Sequence, residues 1–128
     1  MKILILLAMI FCHIVDDYYL QGILASMKQK SWWEKNASDK MYRYDYIAAL
    51  FMHSFSWAFM IMTVPAVYSL IVLTNIWFIV ALFVANLCIH MIIDDMKANK
   101  KKINLVQDQF AHLAQIIITW ILLVKVVS

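Results

Sequence analysis

Within a chain of 128 residues, the stretch His13-Ile-Val-Asp-Asp-Tyr-Tyr-Leu-Gln21 sets a histidine, a carboxylate and an amide inside an otherwise apolar run. On a helix, residues four apart stand one above another, so His13, Asp17 and Gln21 form a single polar stripe. The spacing recurs: Asp94 follows His90 by four residues and His112 follows Asp108 by four, with His53 on its own between them. Imidazole and carboxylate together hold Zn²⁺, Mn²⁺ or Fe²⁺, and an i,i+4 pair lets both side chains reach one ion. His13, Asp17, His53, His90, Asp94, Asp108 and His112 are therefore the candidate metal ligands. They suffice for one or two divalent transition-metal ions, zinc foremost, with manganese and iron as alternatives. A structural zinc ion is tetrahedral, so this donor set exceeds what one such ion uses. The surplus leaves carboxylates for proton transfer, and Asp17 and Asp108 are the candidate catalytic bases. The competing reading is an interhelical hydrogen-bond network that only holds helices together.

The elements that must position these residues follow from composition. The chain is 65% hydrophobic and 15% charged, with a mean hydropathy of +0.77, which excludes a soluble globular protein. One glycine and one proline give little turn punctuation for a sheet, and no alternating segments suggest a barrel. Helices remain as the way to cross a bilayer. The expected fold is all-α: one domain over residues 1–128, an integral membrane bundle of four transmembrane helices whose polar stripes face inward.

The spacing predicts a first helix over about 3–27, retained because no cleavage site follows its apolar core. Residues 28–45 turn basic and aromatic and read as a solvated loop or surface-lying helix. Trp32, Trp33, Tyr42, Tyr44 and Tyr46 suit the headgroup level there. Ser38 or Asp39 is the expected cap of the next helix. The long apolar run that follows suits two helices, about 46–64 and 70–94, with Pro65 and Thr74-Asn75 as candidate break points. A loop over 95–104 leads to Asn104-Leu-Val-Gln107, which has capping-box spacing, and to a last helix over about 105–127. Cys12 and Cys88 lie in apolar runs and read as small hydrophobes.

The loops after the first and third helices carry nine of the eleven basic residues. The positive-inside rule then makes both loops cytoplasmic and puts both termini outside an inner, cytoplasmic membrane. All the unusual polar residues fall in the cytoplasmic half. Ser56, Asn86, Gln115 and Thr119 extend the stripes at helical spacing. An ionisable side chain facing lipid costs roughly 2.5–3.5 kcal/mol, so the stripes must face one another. Asp16 and Asp95 are turned by roughly 100° from their neighbouring stripes, which assigns them to the interface or to a supporting role. Lys28, Lys97, Lys100, Lys101 and Lys102 read as positive-inside signals, with a secondary capacity to gather anionic headgroups.

The ordered set His13-x-x-x-Asp17-x-x-x-Gln21, Lys28, His53, His90-x-x-x-Asp94 with Lys97, and Asp108-Gln109-x-x-His112 resembles the bacterial and phage membrane proteins called domain of unknown function 3307. The resemblance spans nearly the whole chain. That family is similar in general design to small membrane-bound metal-dependent hydrolases, which implies, by analogy, His and Asp ligands on transmembrane helices. Two classes of function follow. One is hydrolysis of an ester or phosphoester of a lipid or lipid-linked substrate. The other is non-catalytic: a metal-stabilised binding protein, such as a phage protein acting on a host membrane protein, or a metal transporter. The stripes fade toward the outer side, which favours a one-sided cavity over conduction. Membrane lipid is the expected partner and nucleic acid is not; a homodimer would enlarge the small internal volume.

Overall fold

In the computed structural model, which describes residues 1–127, the protein is all-helical. The helices are α1 (Lys2–Val15), α2 (Leu24–Met27), α3 (Lys30–Asn36), α4 (Asp45–Ile71), α5 (Ile76–Ala98) and α6 (Leu105–Val127). Among the described residues, four segments are long and apolar enough to cross a membrane: Lys2–Leu20, Lys40–Ile71, Ile76–Ala98 and Leu105–Val126. They close a ring in which α1 packs on α4, α4 on α5, α5 on α6 and α6 back on α1. Met9, Trp57, Ile61, Ile116 and Leu123 fill the interior, while Phe11, Phe59, Ile92 and Phe110 point outward. An outward apolar belt of this kind is what a lipid surround rewards.

The first span departs from the uniform helix expected over 3–27. α1 gives way at Asp16–Leu20 to a π-helical turn, in which Gln21 N–H donates to the Asp16 carbonyl at 3.0 Å. The chain then turns at Gly22, whose φ of +48° suits a residue without Cβ. Short α2 and α3 follow instead of a continuing rod. Asn99 pins this return: its Nδ2 donates to the Lys28 carbonyl at 3.2 Å and its Oδ1 accepts from Lys30 N–H at 2.8 Å.

α4 runs through Pro65 to Ile71 instead of ending before it. Inside a bilayer, breaking the helix would strand several backbone groups, whereas Pro65 forfeits one hydrogen bond, so the helix continues. The hairpin falls at 72–75. Leu73 there takes φ +53°, and Asn75 Oδ1 accepts from Trp77 N–H at 2.9 Å to start α5. α5 extends to Ala98, past the expected boundary at 94. Asp39 caps the one-turn 3₁₀ helix Lys40–Tyr42 by accepting from Met41 N–H, and α4 begins later, at Asp45. The capping box before α6 closes in both directions: Asn104 N–H donates to Gln107 Oε1 at 3.0 Å, and Gln107 N–H to Asn104 Oδ1 at 2.9 Å.

Candidate metal centre

Each stripe arrives where the ring of helices needs it. His13 and Asp17 come from α1 and the π-helical turn, His53 from α4, His90 and Asp94 from α5, and Asp108 and His112 from α6; all seven are buried. The π-helical turn changes which carboxylates face inward. Its wider turn reduces the angle between successive residues, so Asp16 faces the interior together with Asp17. Of the two positions expected for Asp16, the interface or a supporting role, the structure has the second: it is fully buried and accepts from Ser56 Oγ at 2.5 Å. Asp95 does lie at the edge, paired with Lys100 at 2.9 Å, and that hydrogen bond raises the Lys100 ammonium above the usual lysine range.

The closest convergence involves His53, His90 and Asp94. Nε2 of His53 stands 3.2 Å from Nε2 of His90 and 3.0 Å from Asp94 Oδ2, and His90 Nε2 is 3.8 Å from the same oxygen. Donors bound at about 2.0–2.1 Å to a tetrahedral zinc ion stand about 3.3 Å apart, so these three atoms have the separations of one face of such a site. Two overlapping groups could hold a metal: Asp17 with His53 and His90, and His90 with Asp94 and His112. His90 is common to both. Asp17 Oδ1 lies 3.7 Å from His53 Nε2, and Asp94 Oδ1 lies 3.4 Å from His112 Nε2.

His13 and Asp108 lie beside these groups, outside both. The Trp57 indole N–H donates to His13 Nδ1 at 2.8 Å. Asp108 Oδ2 accepts from the Lys97 ammonium and from Gln109 Nε2, the latter at 3.1 Å, while Oδ1 stands 3.3 Å from His112 Nε2. Gln21 donates through Nε2 to the Asp17 carbonyl. Further out, Gln115 Nε2 donates to Asn86 Oδ1 at 2.9 Å and Asn86 Nδ2 to Thr119 Oγ1 at 3.0 Å, clamping α5 to α6.

Lys28 is the main correction to the sequence reading. It is 6% exposed rather than solvated, and its ammonium donates to Asp94 Oδ2 at 2.5 Å. Lys97 likewise leaves the loop for Asp108. The buried carboxylates Asp16, Asp17, Asp94 and Asp108 outnumber the two paired lysines by two, and would carry two uncompensated negative charges if all four were ionised beside neutral histidines. Such a charge is not sustained in a low-dielectric bundle. One divalent cation, or two protons on the histidines, offsets it.

Trp57 also escaped the sequence reading, although it follows His53 by four residues and so shares its face. It stacks on His90 with centroids 4.1 Å apart, and His90 stacks on His112 at 4.2 Å. This column fixes the planes of two imidazoles. For Lys28 no local signal exists, because its partner lies on α5, far along the chain.

A family model described as protein of unknown function (DUF3307) matches residues 5–128. No curated protein and no solved structure matches the chain.

Proposed function

The chain belongs to the DUF3307 family, and from its own buried cluster we propose that it is a membrane-bound, metal-dependent hydrolase of a lipid or lipid-linked ester or phosphoester. The observation that carries this reading is the convergence of His53 Nε2, His90 Nε2 and Asp94 Oδ2 at tetrahedral spacing, inside a cluster whose buried carboxylates outnumber its paired lysines. His53, His90 and Asp94 would hold the ion, with His112 completing its shell and Asp17 left free. Zinc fits this imidazole-rich set best.

When bound, such an ion polarises the scissile bond and acidifies a water. The chain's own residues supply the rest. Asp17 stands between His53 on one side and His13 and Gln109 on the other, with Oδ2 3.4 Å from His13 Nδ1 and 3.4 Å from Gln109 Nε2. It is placed to take the proton of the attacking water. The water oxygen bonds to the acyl carbon or phosphorus, the bond to the alcohol oxygen breaks, and the proton held by Asp17 passes to that leaving oxygen. Asp108 is the less suited base, because Lys97 and Gln109 already occupy one of its oxygens. The lysine asymmetry supports an orientation with this cluster in the cytoplasmic half of an inner membrane.

A second reading has its own observation. The Lys28 ammonium occupies Asp94 Oδ2, the oxygen counted above as a ligand. A closed ion-pair network of that kind would make the protein a non-catalytic partner of another membrane component. Elemental analysis after reconstitution with Zn²⁺, Mn²⁺ and Fe²⁺ in turn separates the two. One or two ions per chain and release of acid and alcohol from lipid vesicles support the hydrolase. Metal far below one ion per chain in all three cases overturns it.

A further inference from the structure

Two adjoining cavities of ≈ 480 and ≈ 280 Å³ run along the seam between α1 and α6 and share Tyr18, Gln109 and Leu113. Their walls are mostly apolar, but Gln109 lines both and His13 the larger one. Gln109 is the link between this groove and the cluster: its Nε2 donates to Asp17 Oδ2 at 3.4 Å and Asp108 Oδ2 at 3.1 Å. The cavities between α4 and α5 are different. One is lined by Phe59, Met62, Val67 and Phe83 without any ionisable group, and the other reaches Asp95 and Lys100 but none of the clustered histidines.

We propose that a glycerol-ester lipid reaches the cluster sideways through the α1–α6 groove, with its acyl chain between Ile10, Ile14 and Leu113 and its ester linkage at Gln109. Three observations carry this. The groove belongs to two membrane-spanning segments, so the molecules available to fill it are those of the bilayer. Tyr18 and Tyr19 are exposed at its cytoplasmic end, a placement suited to the headgroup level. His13 lies five residues earlier on the same segment, further from the tyrosine end and so on the side of the groove that the acyl region would fill.

Charge selects the same linkage. No lysine or arginine lines either cavity, and the carboxylates of Asp17 and Asp108 stand immediately behind Gln109. A phosphate there would meet the Asp17 carboxylate, with no lysine or arginine in the groove wall to neutralise it. An uncharged ester carbonyl can instead take over the Gln109 N–H that is otherwise turned to Asp17 Oδ2 at the long distance of 3.4 Å. Hydrolysis of that linkage adds water across the acyl C–O bond and releases a fatty acid and a lysolipid. The chemistry rests on the hydrolase reading, whereas occupancy of the groove does not.

The test uses the full protein in nanodiscs containing phosphatidylethanolamine with a diazirine either at mid-chain or in the headgroup, with cross-linked peptides mapped by mass spectrometry. The mid-chain probe should label the Ile10–Ile14 and Leu113 region several-fold above Phe59–Val67, and the headgroup probe should label the peptide bearing Tyr18 and Tyr19. Leu113→Trp, or Ile14→Trp if the first fails to fold, should abolish the mid-chain labelling and leave metal content unchanged. Labelling spread evenly around the bundle, or concentrated on α4 and α5, overturns the proposal. Groove labelling without metal overturns only the hydrolase reading, and metal without groove labelling overturns only this one.

Discussion

The indole N–H of Trp57 meets Nδ1 of His13 at 2.8 Å, and this one bond decides what His13 can do. An indole nitrogen only donates, so Nδ1 is unprotonated and the imidazole proton sits on Nε2. The Nδ1 lone pair is then engaged and cannot serve an ion. His13→Ala should therefore leave metal content near that of the native protein. His90→Ala should lower metal affinity by more than the roughly 10–100-fold typical of a lost supporting contact. Metal per chain, measured after equilibration at graded free metal, checks both; equal losses would put His13 among the ligands.

Trp57→Phe keeps an aromatic ring on His90 but strands the buried Nδ1 of His13. An unsatisfied buried acceptor costs about 1–3 kcal/mol. A lower melting temperature in detergent, with metal content retained, is the expected result.

Asp17 and Asp94 should behave in opposite ways. The side-chain contacts of Asp17 are 3.4–3.7 Å long, so Asp17→Asn should preserve thermal stability while abolishing ester hydrolysis. Asp94→Ala leaves the Lys28 ammonium buried without its partner, and breaking a buried pair costs about 3–5 kcal/mol. Adding Lys28→Met to Asp94→Ala should recover much of that loss. Thermal melts of the four proteins decide the matter.

A ligand that binds only the folded chain stabilises it by mass action, by about 2.7 kcal/mol at a hundred times its dissociation constant. Melting temperature should therefore rise on titration with Zn²⁺ and fall back on chelation. His90→Ala should flatten the response. An unchanged melting temperature across the titration in the native protein would remove the metal reading.

The four polar stripes were legible because a period of 3.6 in an apolar background leaves few alternatives for His90 and Asp94, or Asp108 and His112. The Asn104–Gln107 box was legible for the same reason: it is local. What could not be read is non-local or irregular. An extra residue in the turn at Asp16–Leu20 has no composition of its own, and the inward face of Asp16 follows from that turn alone. Lys28 looks like any loop lysine until α5 is folded beside it. Pro65 misled because its helix-breaking habit belongs to water, where stranded carbonyls find partners.

The hairpin at 72–75 and the lysine loop at 99–104 should lie on opposite sides of the membrane. Leu73, 90% exposed, offers a labelling site on the hairpin. In a background free of Cys12 and Cys88, an impermeant thiol reagent added outside should modify Leu73→Cys and spare Lys101→Cys. The opposite pattern would invert the orientation.

The groove runs between α1 and α6, the first and last of the four spans. The seam that holds His13 and Gln109 is therefore the one that biosynthesis closes last. While the ribosome is still making α5, Asp17 has already been synthesised without His90 or Gln109 beside it. Its set of partners is complete only once α6 packs back against the first span. Closing a loop that spans most of the chain is entropically slow. The contact that completes the polar cluster is thus also the contact that matures latest in the life of the molecule.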